Sequence, residues 1–322
     1  MIHTRLYRNG AIELEDFPLS DVSEYITDST ATVWVDFTNP TKKDLSALEE
    51  ELGLHRLAVE DAFNDFERPK LDRYDTHLFL AAYAVGLNEK TGILSTHAIK
   101  AFITPRALVT VHKKPFDIAR VVEHWDNQRD LASHGVSYLL WGLLDSVVDG
   151  HFETVQELDS QIEALEDSLF DPKPKSPEVQ RRSFELRKSL VLLRRAILPM
   201  REVVNTILRR DLGAIDSTMG PYFQDVYDHV LRATEWTESL RDLVNTILET
   251  NISLQGNRMN LVMKKVTSWA AIIAVPTAIT GFYGQNLPYP GFSTEWGFAV
   301  SSGLIVVISG GLYFAFKRND WL

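Results

Sequence analysis

Lys264-Lys-Val-Thr-Ser-Trp-Ala-Ala-Ile-Ile-Ala-Val-Pro-Thr-Ala-Ile-Thr-Gly-Phe-Tyr-Gly-Gln-Asn286 decides what kind of protein this is. After its two lysines, no charged or histidine side chain occurs from Val266 to Thr294, 29 residues, and a second such run covers the 21 residues from Trp296 to Phe316. A bilayer-crossing helix needs about 20 apolar residues, so transmembrane helices are predicted over 266–283 and 296–316, with a loop over 284–295. Lys264 and Lys265 precede the first run, Lys317 and Arg318 follow the second, and the loop between has no Lys or Arg. That bias predicts a multi-pass protein of the cell (inner or plasma) membrane, with both termini cytoplasmic and the loop outside. Trp296 and Trp321 fit interfacial anchors.

Averaged over 322 residues, 45% hydrophobic and 24% charged, the chain would pass for a soluble protein, because nearly all its charge lies before Val266. The first twenty residues have no apolar run, so no secretory signal is expected. Absence of cysteine excludes disulfides, thiol nucleophiles and cysteine-based zinc or iron–sulfur sites. A net charge of −11 argues against nucleic acid as a partner. The sequence has no Gly-x4-Gly-Lys-Ser/Thr loop for ATP-driven pumping. Its histidines, His112, His124, His151 and His229 among them, lack metal-ligand spacing and are expected in packing or surface roles, so an enzyme is not expected.

Upstream of the membrane, residues 1–135 read as an α+β domain. Asn9-Gly10 predicts a hairpin between Thr4–Arg8 and Ala11–Glu15. Ala31–Phe37, His77–Val85 and Thr96–Val111 carry strand character, and Thr41-Lys-Lys-Asp44 has the spacing of a capping box. Residues 136–218 predict a helical hairpin, acidic from Glu153 to Asp167 and basic from Arg181 to Arg210, held by charge pairing; a lipid-headgroup or nucleotide site is the alternative. Residues 219–265 predict a stalk running into the membrane. No proline lies between Pro221 and Pro276, enough chain for one helix of about 80 Å. Val226, Val230, Ala233, Leu240, Val244, Ile247, Leu254 and Leu261 form its apolar seam, which Thr237, Asn251 and Arg258 interrupt, so a loosely packed, locally wet stalk is expected.

Two membrane helices cannot enclose a pore, so conduction requires a homo-oligomer in which each chain gives one lining helix. The first helix offers the better lining: Thr267, Ala270, Ala274, Thr277 and Gly281 recur with 3,4 spacing, continuing upstream through Met263 and Asn260. Small residues at that spacing equally serve helix packing in membranes, and the pattern alone leaves both readings open.

The loop opens with Gly281-Phe-Tyr-Gly-Gln-Asn286, which resembles the signature of the CorA family of divalent-cation channels. Val59-Glu-Asp-Ala-Phe-Asn64, Arg68-Pro-Lys70, Tyr222-Phe-Gln-Asp-Val-Tyr-Asp-His229, Met259-Asn-x-Val-Met-Lys264, Pro276-Thr-x-Ile-Thr-Gly281 and Lys317-Arg-x-x-Trp-Leu322 are similar to further family landmarks, in family order. The resemblance implies a homopentameric funnel, an α+β cytoplasmic domain with a long stalk helix, two transmembrane helices and the basic tail 317–322, and passive uptake of Mg²⁺, often with Co²⁺ or Ni²⁺. It places ion selection at Tyr283, Gly284, Gln285 and Asn286. It also implies regulatory Mg²⁺ at Glu60, Asp61, Asp145 and Asp225, between neighbouring cytoplasmic domains. Gln285 stands where the family usually has Met. A different residue there also occurs in the zinc-transporting branch, which leaves Zn²⁺ as an alternative cargo.

Mg²⁺ sheds water reluctantly, so a ring of neutral amide oxygens can hold it through its coordinated waters. Asn286 would supply side-chain carbonyls, and Asn260, Met263 and Thr277 the constrictions below. The membrane potential suffices as drive, at roughly 4.6 kcal/mol for a dication across 100 mV. Bound Mg²⁺ would neutralise carboxylates and favour a closed state. A membrane-anchored sensor or scaffold without transport is the alternative of another class.

Overall fold

Asn9 and Gly10 both adopt positive φ, 52° and 80°, the conformation a two-residue hairpin turn requires. They join β1 (Ile2–Arg8) to β2 (Ala11–Glu15), with Arg8 opposite Ala11. The computed structural model describes residues 1–64, 68–88, 91–114, 116–170, 176–209, 215–285, 288 and 290–322, less the side chains of residues 47, 48, 50 and 176. It divides into two compact units, Met1–Ile247 and Leu248–Leu322.

In the first unit β3 (Ala31–Thr38), β4 (Lys70–Arg73), β5 (Leu78–Asn88), β6 (Ile93–Ile103) and β7 (Ala107–His112) complete a seven-stranded sheet in the order β2-β1-β3-β7-β6-β5-β4. Only β3 and β7 run parallel. All six residues of β7 are buried, as are seven of the eight in β3, because helices cover the sheet on both faces. On one face the short helices α1 (Val22–Tyr25), α2 (Lys42–Leu52) and α3 (Arg56–Asp61) contribute Val22, Leu45, Ala58 and Val59 to a core with Leu6, Val35, Phe37 and Val109. The capping box at the head of α2 forms: the Asp44 amide donates to Thr41 Oγ1 at 3.4 Å, and the Thr41 amide donates to the Asp44 carboxylate at 2.7 Å.

The other face carries α4 (Ile118–Asn127), α5 (Val136–Asp167) and α6 (Ser176–Ile197). Trp125 and Trp34 meet edge to face at 4.9 Å, and Trp125 Nε1 donates to the Leu139 carbonyl. Among the described residues, the contacts of the α6 arginines go mostly elsewhere than to the carboxylates of α5. Arg181 pairs with Glu185 of its own helix, Arg182 reaches Gln161 and Glu185, and Arg194 reaches Glu238, while Glu153 of α5 pairs with Arg120 of α4. Both helices instead bury leucine-rich faces, Leu158, Ile162 and Leu165 on α5 and Leu186, Leu190 and Leu193 on α6. Pro199 then ends the basic segment's first helix, and α7 (Met200–Leu208) begins after it.

The 64 residues Gly220–Tyr283 form one helix, α8, whose first part belongs to the first unit. There Phe223, Val226, Val230, Ala233, Leu240, Val244 and Ile247 are buried. Tyr222 packs on Trp141 and Trp236 on Phe152, both rings of α5. Thr237 is also buried, and the water expected there is unnecessary, since its hydroxyl donates to the Ala233 carbonyl at 2.7 Å. The second unit holds the rest of α8 and α9 (Glu295–Arg318), the two helices long and apolar enough to cross a membrane. Pro276 lies inside α8 without ending it. Thr277 and Thr280 donate their hydroxyls to the carbonyls of Ile273 and Pro276, one turn back on the same helix.

His151 of α5 is fully buried; its Nε2–H donates to the Tyr83 carbonyl of β5 at 2.6 Å, and Nδ1 has no partner among the described residues. Burial pushes its pKa down to about 4, the hydrogen bond to Tyr83 resisting only in part. Because the fold excludes a proton that the unfolded chain accepts near pH 6.5, stability is full above that pH and falls between 6.5 and about 4. His151→Gln keeps a donor for Tyr83 but cannot protonate. Denaturant unfolding at pH 7 and pH 4.5 is expected to show a smaller acid loss in the variant, by up to about 3 kcal/mol.

Candidate ion path and metal cluster

Along the membrane part of α8, Asn260, Met263, Thr267, Ala270, Ala274, Thr277 and Gly281 are all exposed. At 100° per residue these seven fall on one side of the helix. Ala271, Ile272, Val275, Pro276 and Ile279, on the other side, are half-buried, and Ser268 there is fully buried. The small-residue stripe is therefore not what packs α8 within its own chain. At Gly281 an added Cβ would meet nothing within 4 Å. Thr277 spends its hydroxyl proton on the Ile273 carbonyl, which leaves the oxygen's lone pairs as acceptors. Asn260, Met263 and Thr267 line a cleft of about 550 Å³ with Asn257, Leu261, Lys264 and Trp321.

Helix α8 ends at Tyr283. The Gly284 amide donates to the Thr280 carbonyl at 2.8 Å and the Gln285 amide to the Phe282 carbonyl at 3.3 Å, closing the last turn. A Cβ at position 284 would sit 2.8 Å from the Thr280 carbonyl oxygen, so this tight closure itself requires glycine. Tyr283 stands edge to face with Phe282. Asn286, the principal ion-selecting residue expected, lies outside the described residues.

In the first unit, Asp145 and Asp149, one turn apart on α5, meet His229 of α8 with ligand atoms all within 4.8 Å of one another. Asp145 is mostly covered, 13% exposed, and lies 3.1 Å from His124 Nε2 of α4. Burial holds the Asp149 carboxyl above its ordinary range, and the charge of Asp145 adds to the rise. The hydrogen bond to Asp145 raises His124, against the opposing effect of burial. Two carboxylates are thus kept together at a cost that a proton on His124 offsets in part and a divalent cation could offset further. Carboxylate oxygens alone suit Mg²⁺, and the imidazole of His229 extends the set to Co²⁺, Ni²⁺ or Zn²⁺.

The other expected regulatory carboxylates do not join this cluster within one chain. Asp61, at the end of α3, is paired with Lys70 at 2.7 Å, and Lys70 also reaches Asp72. Glu60 and Asp225 are exposed. His229, expected in a packing or surface role, instead faces the α5 carboxylates. Its only sequence signal was its place in the Tyr222–His229 motif, since the residues it meets lie eighty positions upstream.

The family model described as "CorA-like Mg2+ transporter protein" matches residues 29–318. The chain is 29% identical over 316 residues to the cobalt/magnesium transport protein CorA of Thermotoga maritima, covering 96% of this chain and 90% of that protein. It is 24% identical over 307 residues to the zinc transport protein ZntB of Yersinia pseudotuberculosis, covering 92% and 90%. Its fold matches the complete structure of the CorA magnesium transporter from Methanocaldococcus jannaschii with a TM-score of 0.82 at 21% identity, over 100% of this chain and 99% of that one. With the sheet domain, the unbroken α8 and a second apolar helix all accounted for, this chain belongs to the CorA-like Mg²⁺ transporter family.

Proposed function

We propose that copies of this chain, five as the family resemblance implies, assemble in the cell membrane around the α8 stripe and pass hydrated divalent cations inward, Mg²⁺ foremost, with Co²⁺ or Ni²⁺. The observation that carries this reading is the exposure of all seven stripe residues on the side of α8 that its own chain leaves uncovered. Both termini are cytoplasmic in this reading, and the loop after Tyr283 is the outer mouth. There Tyr283, Gly284, Gln285 and Asn286 receive the ion, with neutral oxygens that hold its water shell without trapping it. Thr277 offers acceptors further in, Asn260 a polar ring, and Met263 an apolar constriction that gates by dewetting. No His or Cys lies on the path, which favours Mg²⁺ over Zn²⁺ as cargo. Cytoplasmic Mg²⁺ binds Asp145 with Asp149, and joins Glu60, Asp61 and Asp225 across neighbouring copies. Neutralising these carboxylates stabilises the closed assembly, so a fall in internal Mg²⁺ opens it.

Flux of Mg²⁺, Co²⁺, Ni²⁺ and Zn²⁺ into reconstituted vesicles tests the reading. Asn286→Ala is expected to cut Mg²⁺ entry by about tenfold or more, equivalent to about 1.4 kcal/mol at the selecting ring. Undiminished entry, or a monomer in the bilayer, would sink the proposal, and Zn²⁺ entry exceeding Mg²⁺ would move the chain to the zinc branch.

The regulatory assignment has its own readout. Ions that bind only the folded chain raise its thermal stability by about 2.7 kcal/mol at a hundredfold excess over Kd. Asp149→Asn is expected to reduce the Mg²⁺- and Co²⁺-induced rise in melting temperature alike. His229→Ala should reduce the Co²⁺ rise more than the Mg²⁺ rise, because imidazole adds little to an all-oxygen Mg²⁺ shell. Unchanged shifts in both variants would remove the cluster from the mechanism.

A further inference from the structure

From Arg258 onward the second unit carries more cations than anions. The charged side chains there are Arg258, Lys264, Lys265, Lys317 and Arg318 against Glu295 and Asp320, and Glu295 lies at the far end of α9 from the basic pairs. Lys264, Lys265, Lys317 and Arg318 are all exposed, and none makes an ion pair among the described residues.

The tail after α9 is folded in a defined way that brings these charges to one level. Asp320 takes a positive φ of 55°, and the Trp321 amide donates back to the Phe316 carbonyl at 3.0 Å, closing the helix end. This turn stacks Trp321 on Phe316, centroids 5.6 Å apart and planes 14° from parallel. It also sets the Trp321 ring 5.8 Å from Lys264 Nζ on α8. Lys317 Nζ stands 5.8 Å from the ring of Tyr313. Four cations thus form a basic band along the edge of an apolar surface on which Val266, Trp269 and Phe314 are more than half exposed.

We propose that this band is a binding site for the phosphate headgroups of anionic phospholipids, with Lys264, Lys265, Lys317 and Arg318 as the cations and Trp321 and Tyr313 as the aromatic frame. Basic clusters at the cytoplasmic end of membrane helices attract anionic lipid, and amphipathic aromatic rings sit at headgroup depth. A soluble anion would gain nothing from the apolar border; a phospholipid occupies both sides of it at once. Occupancy also screens positive charge that would otherwise repel a dication on its way past Asn260 and Met263. The inference rests on the reading of α8 and α9 as membrane spans, but not on ion conduction.

The test uses the full chain in phosphatidylcholine vesicles doped with brominated phosphatidylglycerol or, in parallel, brominated phosphatidylcholine, bromine being a contact quencher of tryptophan. The Trp321 contribution is isolated by difference from Trp321→Phe. Brominated phosphatidylglycerol is expected to quench Trp321 about twofold more than the same fraction of brominated phosphatidylcholine, and high salt to shrink the difference. Lys265→Gln/Lys317→Gln/Arg318→Gln should abolish the preference, and the matching Lys265→Arg/Lys317→Arg pair, which keeps the charge, should retain it. Equal quenching by both lipids, a preference that survives in the triple variant, or displacement of the lipid by inorganic phosphate would overturn the proposal. Flux measured in the same vesicles separates the two readings: lipid preference without flux refutes transport alone, and flux without lipid preference refutes this site alone.

Discussion

A helix that loses its charge for eighteen residues and enters lipid must satisfy every backbone amide within itself, since hydrocarbon offers no partner. The membrane part of α8 runs on through Pro276 as one helix, and two threonine hydroxyls add bonds to carbonyls one turn back. The same constraint shapes what can be exposed. With the backbone closed on itself, the helix surface differs only by side chain, and the stripe from Asn260 to Gly281 is among the residues left uncovered. The stripe does not pack α8 against the rest of its own chain, which leaves it free for a neighbouring copy or for a pore.

How much was legible in the sequence follows the range of the interactions. The Asn9-Gly10 hairpin, the Thr41–Asp44 capping box and the two apolar runs are each set by residues a few positions apart, and each formed where its local chemistry placed it. The packing of α5 on α6 was legible, but opposite charge on successive helices says nothing about which way long arginine side chains reach. Arg194 finds Glu238 on α8, and Arg181 finds its own helix. Pro199, inside the basic segment, was the visible reason for a break there. The expectation of ion selection rested only on the Gly281–Asn286 motif. For Gly284 the structure supplies a cause that spacing does not, a carbonyl too close for any Cβ.

The Asp145, Asp149 and His229 cluster marks the limit of local reading most clearly. Asp145 and Asp149 are one turn apart and could be paired from sequence, but a pair of acids on a helix is normally a solvated face. What changes their meaning is coverage by α4 and α8, which bring His124 and His229 against them. Burial then works against the charge of Asp149, and with the neighbouring charge of Asp145 it raises that carboxyl.

That electrostatic logic runs in opposite directions in the two units. In the first, Asp145 and Asp149 gather negative charge, which a bound cation would offset; in the second, exposed positive charge stands at an apolar edge, which a bound anion would offset. A continuous helix, α8, carries residues of both sites, His229 in one and Lys264 in the other, with Asn260 and Met263 just before the second. If the occupant of either site moves α8, it acts on those path residues through covalent continuity, without any separate relay of side chains.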